Sequence, residues 1–168
     1  LLSGVPADKL PKVLQLFNKM ATEICEGQQY DVDFESQEHV TIEEYLKMIR
    51  LKTSVLLANA LQTGAYIAGA DDQAQETLYQ FGINIGLAFQ IQDDILDVWG
   101  DPKTFGKAIG GDISCNKKTF VYLEAIRRGG ERLEEWYSQV LEDNTEKIAA
   151  VKEIFEQLEV RAVCEKVV

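Results

Sequence analysis

Asp93, Asp94 and Asp97 are the only charged residues between Phe81 and Trp99, and no Lys or Arg occurs from Asp71 to Pro102. On a helix turning about 100° per residue, Asp97 projects about 40° from Asp93, Gln90 about 60° and Gly86 about 20°, so these four share one stripe with Asp94 to its side. Leu87, Ala88, Ile91, Ile95 and Val98 take the opposite face, while Phe89 and Leu96 flank the carboxylates. Such a helix is apolar nearly all round, and the pattern predicts burial. Buried carboxylates lose several kcal/mol of hydration unless something cationic meets them. A hard divalent cation would serve, and so would lysines from elsewhere in the chain. Mg²⁺ suits the first case, because it takes one or two carboxylates, several waters and substrate phosphate oxygens. The plain alternative is a solvated acidic face.

The loop that follows favours a ligand. Lys103, Lys107, Lys117 and Lys118 are interleaved there with Gly106, Gly110 and Gly111, which permit close backbone approach. Carboxylates that hold a metal beside ammonium groups on a Gly-rich loop suit a diphosphate. The spacing is not that of a Walker A loop: five residues separate Gly100 from Gly106, Ala108 follows Lys107, and a helix rather than a strand precedes. Nor does Asp93 to Gly100 alternate oxygen ligands as an EF-hand does. Lys52-Thr53 sits in an otherwise apolar stretch, Ile49 to Ala60. A mid-helix threonine can bond back to a carbonyl and bend the helix. Lys52 could then reach the same diphosphate, the alternative being a lysine that snorkels to solvent.

The elements that must position these residues are helices, with apolar positions recurring at i, i+3, i+4 and i+7. A first stripe (Leu10, Val13, Leu14, Phe17, Met20, Ala21, Ile24) should end near Gly27, with a polar loop from Gln28 to Val40. Thr41 and Glu44 form a capping box for a helix ending around Gly69. Asp71 and Asp72 offer caps for a long helix from Gln73 to Val98. Gly100 to Asn116 reads as an irregular loop. Shorter helices are expected over Lys118 to Arg128, Glu131 to Leu141 and Thr145 to Leu158, with another begun in the last ten residues.

Composition sets bounds on function. The chain has 168 residues, 46% of them hydrophobic, which is enough for one sizeable core and suggests a single domain, 1–168. A net charge of -11 has the wrong sign for a partner of nucleic-acid phosphates. No apolar run is long enough to span a membrane. Cys25, Cys115 and Cys164 have neither disulfide-framework nor zinc spacing, so a reducing cytoplasm is expected. The single His39 lies in a polar stretch and should be at the surface.

Phe89-Gln90-Ile91-Gln92-Asp93-Asp94-Ile95-Leu96-Asp97 resembles the second aspartate-rich motif, FQxxDDxxD, of the trans-type (E-) isoprenyl diphosphate synthases. Gly106-Lys107, Gly110-Gly111-Asp112 and Lys117 resemble the GK...GxD...K loop that follows it in that family. Gly27-Gln28 with Asp31 resembles the family's GQxxD, and Lys52-Thr53 its Lys-Thr pair. The resemblance spans Gly27 to Lys117, with the motifs in the family's order.

This resemblance implies an all-α, isoprenoid synthase-type helical bundle. It implies a prenyltransferase of isoprenoid biosynthesis that condenses an allylic diphosphate with isopentenyl diphosphate, using about three Mg²⁺ ions per complete site. Asp93 and Asp97 would bind metal, with Asp94 a ligand or a support for one. Lys52, Lys107 and Lys117 would neutralise the leaving diphosphate, while Thr53 and Gln90 would place oxygen dipoles near the allylic cation. Homodimers are common in the family. The family's first aspartate-rich motif has no counterpart here, so the bundle is expected to be incomplete at both ends and inactive alone. A terpene cyclase shares the chemistry, but its Asn/Asp-Ser/Thr-Glu pattern is missing. A non-catalytic regulatory or scaffold subunit is the remaining alternative.

Overall fold

Residues 4–106 and 109–168 are described by a computed structural model, and among them the only regular elements are helices. Lys107 lies outside the described residues. Helix α1 (Leu10–Ser36) buries Val13, Leu16 and Met20. It does not stop at Gly27, and the polar loop expected from Gln28 shrinks to the connection after Ser36. The reason is tertiary: Gly27 is a contact, not a cap. A Cβ there would lie 2.4 Å from the Lys52 backbone nitrogen, so the missing side chain lets a neighbouring backbone touch α1. That packing offsets the roughly 1 kcal/mol that glycine costs a helix interior.

The Thr41–Glu44 capping box forms reciprocally. The Glu44 N–H donates to Thr41 Oγ1 at 3.1 Å, and Glu44 Oε2 accepts the Thr41 N–H at 2.8 Å. The expected single helix behind it is divided into α2 (Ile42–Ile49), a π turn (Arg50–Ser54) and α3 (Val55–Ala68). Lys52-Thr53, where a bend is expected, lies within this widened turn, a feature common at functional sites. Gly69, left-handed at φ 85°, ends α3 where expected. Helix α4 (Asp72–Trp99) begins with Asp71 Oδ1 accepting the Ala74 N–H at 2.8 Å.

Contacts divide the chain into two compact units. One holds the chain up to Val32 together with Lys47–Leu87, and the other holds Asp33–Leu46 with Ala88–Val168. In the first, Met20, Val55, Ala58 and Ile83 form a core with Ile24, Tyr79 and Leu87 against it. Here α4 meets α3 and the π turn at backbone distance: a Cβ on Gly86 would be 2.4 Å from Ser54 Cα, and one on Gly82 2.5 Å from Ala58 Cα. Burial of α4 on all sides, however, is not found. Phe81, Ile85 and Phe89 are 54%, 45% and 62% exposed, on a stripe apart from both the glycines and the buried Ile91, Ile95 and Val98.

The second unit contains α5 (Pro102–Phe105), α6 (Gly111–Ser114), α7 (Phe120–Arg127), α8 (Arg132–Tyr137), α9 (Thr145–Gln157) and α10 (Val160–Cys164). Helix α9 packs on α6, α8 and α10, and α10 on α7. Val121, Ala125, Leu133, Val151, Val160 and Cys164 are completely buried there. Single turns α5 and α6 replace part of the expected irregular loop. Asp101 caps α5 through the Lys103 N–H at 3.1 Å, with Pro102 preset at the first helical position. Cys25 and Cys115 are exposed free thiols, Cys164 is a buried one, and His39 is exposed. No helix of the described residues is long and apolar enough to cross a membrane.

Candidate functional site

The acidic stretch of α4 separates into groups with different surroundings. Asp94 is 1% exposed, and its Oδ2 accepts both the Tyr45 hydroxyl at 2.6 Å and the Phe120 N–H at 3.1 Å. Its Oδ1 accepts from the Gln90 amide nitrogen at 3.3 Å. These bonds make Asp94 a fastening between α2, α4 and the start of α7. Burial pushes its carboxyl up to about 7, against the pull of the Tyr45 and Phe120 hydrogen bonds. Gln90, expected on the Asp93 and Asp97 stripe, is thus tied to Asp94.

Asp97 faces the following loop. Its Oδ2 accepts the Asp112 N–H at 3.1 Å, and its backbone oxygen accepts the Gly110 N–H at 2.7 Å. The left-handed Gly110 (φ 81°) makes that return possible, since it turns the chain into α6 beneath the carboxylate. Lys117 follows, its Nζ 3.7 Å from Asp112 Oδ1. The last aspartate of one motif and the GxD and Lys of the next are therefore brought together within the second unit. Burial raises the Asp97 carboxyl above its ordinary range. The Asp112 charge adds to this, the Asp112 and Gly111 N–H groups oppose it, and Asp93 adds a smaller repulsion. Asp112 was not among the residues expected to bind, although its place after two glycines was a signal for it.

That crowding bears on a metal. The donors are carboxylate oxygens, hard ligands that raise one another's proton affinity, and a divalent cation among them would relieve the repulsion. Among the described residues no three His, Cys, Asp or Glu side chains stand close enough to hold an ion by themselves. Such a set fits Mg²⁺, which completes its shell with water and phosphate oxygens, and does not fit a closed structural metal cage.

Further along the same unit, the Lys118 Nζ donates to the Phe34 carbonyl at 2.9 Å, and burial lowers its proton affinity. Lys147 is completely buried, its ammonium on Asn116 Oδ1, 3.3 Å from the Gln139 carbonyl and over the Tyr137 ring. It braces the left-handed Asn116 (φ 57°) just before Lys117. Nothing in its sequence context marked it.

In the first unit, Lys52 and Thr53 are half-buried members of the π turn. Lys52 does not merely snorkel to solvent. Its Nζ lies 2.5 Å from Asp31 Oδ2, with side-chain exposures of 33% and 18%.

The polyprenyl synthetase family matches residues 1–158. The geranylfarnesyl diphosphate synthase of Natronomonas pharaonis is 45% identical over 127 residues, covering 76% of this chain and 37% of that protein. A crystal structure of a geranylgeranyl pyrophosphate synthase superposes with a TM-score of 0.91 at 47% identity, over 96% of this chain and 52% of the other. A Corynebacterium glutamicum geranylgeranyl pyrophosphate synthase, complexed with isoprenyl diphosphate and magnesium, superposes with a TM-score of 0.87 at 31% identity, over 98% of this chain and 48% of its own. The chain thus spans about half the length of these relatives or less. The match runs past the end of α9 and takes in every motif from Gly27 to Lys117, so the chain belongs to the polyprenyl synthetase family of trans-isoprenyl diphosphate synthases.

Proposed function

We propose that this chain supplies a diphosphate-binding half-site of a prenyltransferase that joins an allylic diphosphate to isopentenyl diphosphate, the 168 residues acting as one helical domain. The observation that carries the reading is the junction of Asp97 with the Asp112–Lys117 loop: a carboxylate whose proton affinity is raised by burial and by the Asp112 charge, bonded to the Asp112 N–H, with Lys117 paired to Asp112 on a backbone turned by Gly110. Asp93 and Asp97 would hold Mg²⁺, about three ions serving a complete site. Held there, Mg²⁺ would supply positive charge to the diphosphate oxygens and so favour departure of the diphosphate. The resemblance assigns Lys52, Lys107 and Lys117 the task of neutralising the charge of the leaving diphosphate. The resemblance assigns Thr53 and Gln90 the task of placing oxygen dipoles near the allylic cation, and Asp94 accepts from the Gln90 amide on α4. The isopentenyl double bond attacks that cation, and a proton passes to a diphosphate oxygen as the trans double bond forms. Homodimeric assembly and a cytoplasmic location complete the reading, in keeping with the resemblance and with free, unpaired thiols.

The test is calorimetric titration of the chain with inorganic diphosphate, with and without Mg²⁺, beside Asp93→Asn and Asp97→Asn. The expected result is Mg²⁺-dependent binding that weakens about tenfold or more in either variant. Binding indifferent to Mg²⁺, or none by the native chain, would overturn the reading.

A further inference from the structure

Helix α1 presents Gly27 and Asp31 to the π turn at positions i and i+4, one above the other on a single face. Both meet the same residue. Gly27 brings α1 against the main chain of Lys52, where a Cβ would stand 2.4 Å from the amide nitrogen and 2.8 Å from Cα. Asp31 meets the other end of Lys52, its Oδ2 2.5 Å from Nζ. The widened turn itself carries no local sequence requirement for a lysine rotamer, and a four-carbon stem leaves an ammonium free to sweep a large volume. Contacts at both ends remove that freedom.

We propose that Gly27 and Asp31 act as one positioning device for Lys52, the glycine setting the depth of the π turn and the carboxylate aiming the ammonium. Asp31 is thus a positioning residue that acts through Lys52. The inference rests on the proposed role of Lys52 in binding diphosphate, and deepens it. An ammonium has three N–H donors; the bond to Asp31 takes one and turns the others outward in a set direction, which reduces the ordering that phosphate binding would otherwise require. The device lies wholly within the first unit.

The sign of the effect separates positioning from plain electrostatics. Removing a carboxylate near an anion site relieves repulsion and by itself tightens anion binding. If Asp31 aims Lys52, Asp31→Asn instead weakens binding of inorganic diphosphate with Mg²⁺, by about tenfold. In a Lys52→Met background the same change has nothing to aim, and binding is unchanged or tighter. A purely structural role would weaken binding equally in both backgrounds, so the double-mutant cycle discriminates. Equal loss in both backgrounds, or tightening in both, overturns the proposal.

A second measurement stands apart from diphosphate. With an amine-specific reagent and peptide mapping, Lys52 of the native chain should be modified several-fold more slowly than Lys52 of Asp31→Asn, with other lysines unchanged. Equal rates overturn the device even if diphosphate binds. Slower native labelling without diphosphate binding overturns the assigned role of Lys52 as a diphosphate ligand while the clasp stands. Gly27→Ala, which forces α1 off the π turn, should speed Lys52 labelling as Asp31→Asn does. If that variant does not fold, Asp31→Asn alone decides.

Discussion

Asp93 and Asp94 are adjacent in sequence, yet Asp93 is half-buried while Asp94 is fully buried, its two oxygens accepting from Tyr45, Phe120 and Gln90. Its carboxyl, pushed from 3.8 to about 7, makes stability depend on pH with a defined sign. Between those values the folded protein keeps a proton that the unfolded chain has released, so rising pH costs stability through the window. The contribution is whole below the unfolded value and is lost as pH passes about 7. Chemical denaturation of the native chain should therefore give a stability lower by a few kcal/mol at pH about 8 than at pH about 4 from this group alone. In Asp94→Asn that slope should shrink. It should not vanish, because burial raises Asp97 in the same direction. An unchanged slope would mean that Asp94 is not the buried acid the hydrogen bonds make it.

Helix packing around the π turn depends on glycines at backbone contacts, and this separates glycines that the sequence alone presents as equals. Gly86 of α4 has no room for a Cβ, which would fall 2.4 Å from Ser54 Cα and 2.7 Å from its Oγ. Gly64 of α3 has nothing within 4 Å of the same position. Gly64→Ala should therefore raise stability by up to about 1 kcal/mol through helix propensity. Gly86→Ala should lower it by about 2 kcal/mol or more, since backbone must move to admit the methyl group. Thermal melts of the two variants beside the native chain check both signs. The same distinction explains why α1 outruns its expected end. Gly27 has the composition of a stop signal, but a stop requires a left-handed turn, and Gly27 is not among the glycines with positive φ. The caps, by contrast, were legible, because Thr41 with Glu44, Asp71 with Ala74 and Asp101 with Lys103 are local bonds spanning two or three residues.

At the scale of the whole chain, a net charge of -11 leaves carboxylates in excess, and the motif residues are distributed between two units. A cation and a diphosphate that bind the folded state and not the unfolded chain must stabilise it, by about 2.7 kcal/mol at a hundredfold excess over Kd. Mg²⁺ and inorganic diphosphate together should raise the melting temperature by several degrees. Diphosphate alone should not do so, and Asp97→Asn should lose most of the joint shift. Calorimetric melts with each ligand singly and together measure this directly. The sequence by itself determined the all-helical class, the family and the residues with chemical potential, because helical periodicity and motif spacing are written in short-range order. Only the tertiary structure decided which partners each carboxylate of α4 meets, where α1 ends, and what Lys52 touches. Those outcomes depend on partners far away in sequence: Tyr45 lies 49 residues from Asp94, Phe120 26 and Asp31 21 from Lys52. No local pattern encodes a contact that exists only once distant helices have packed.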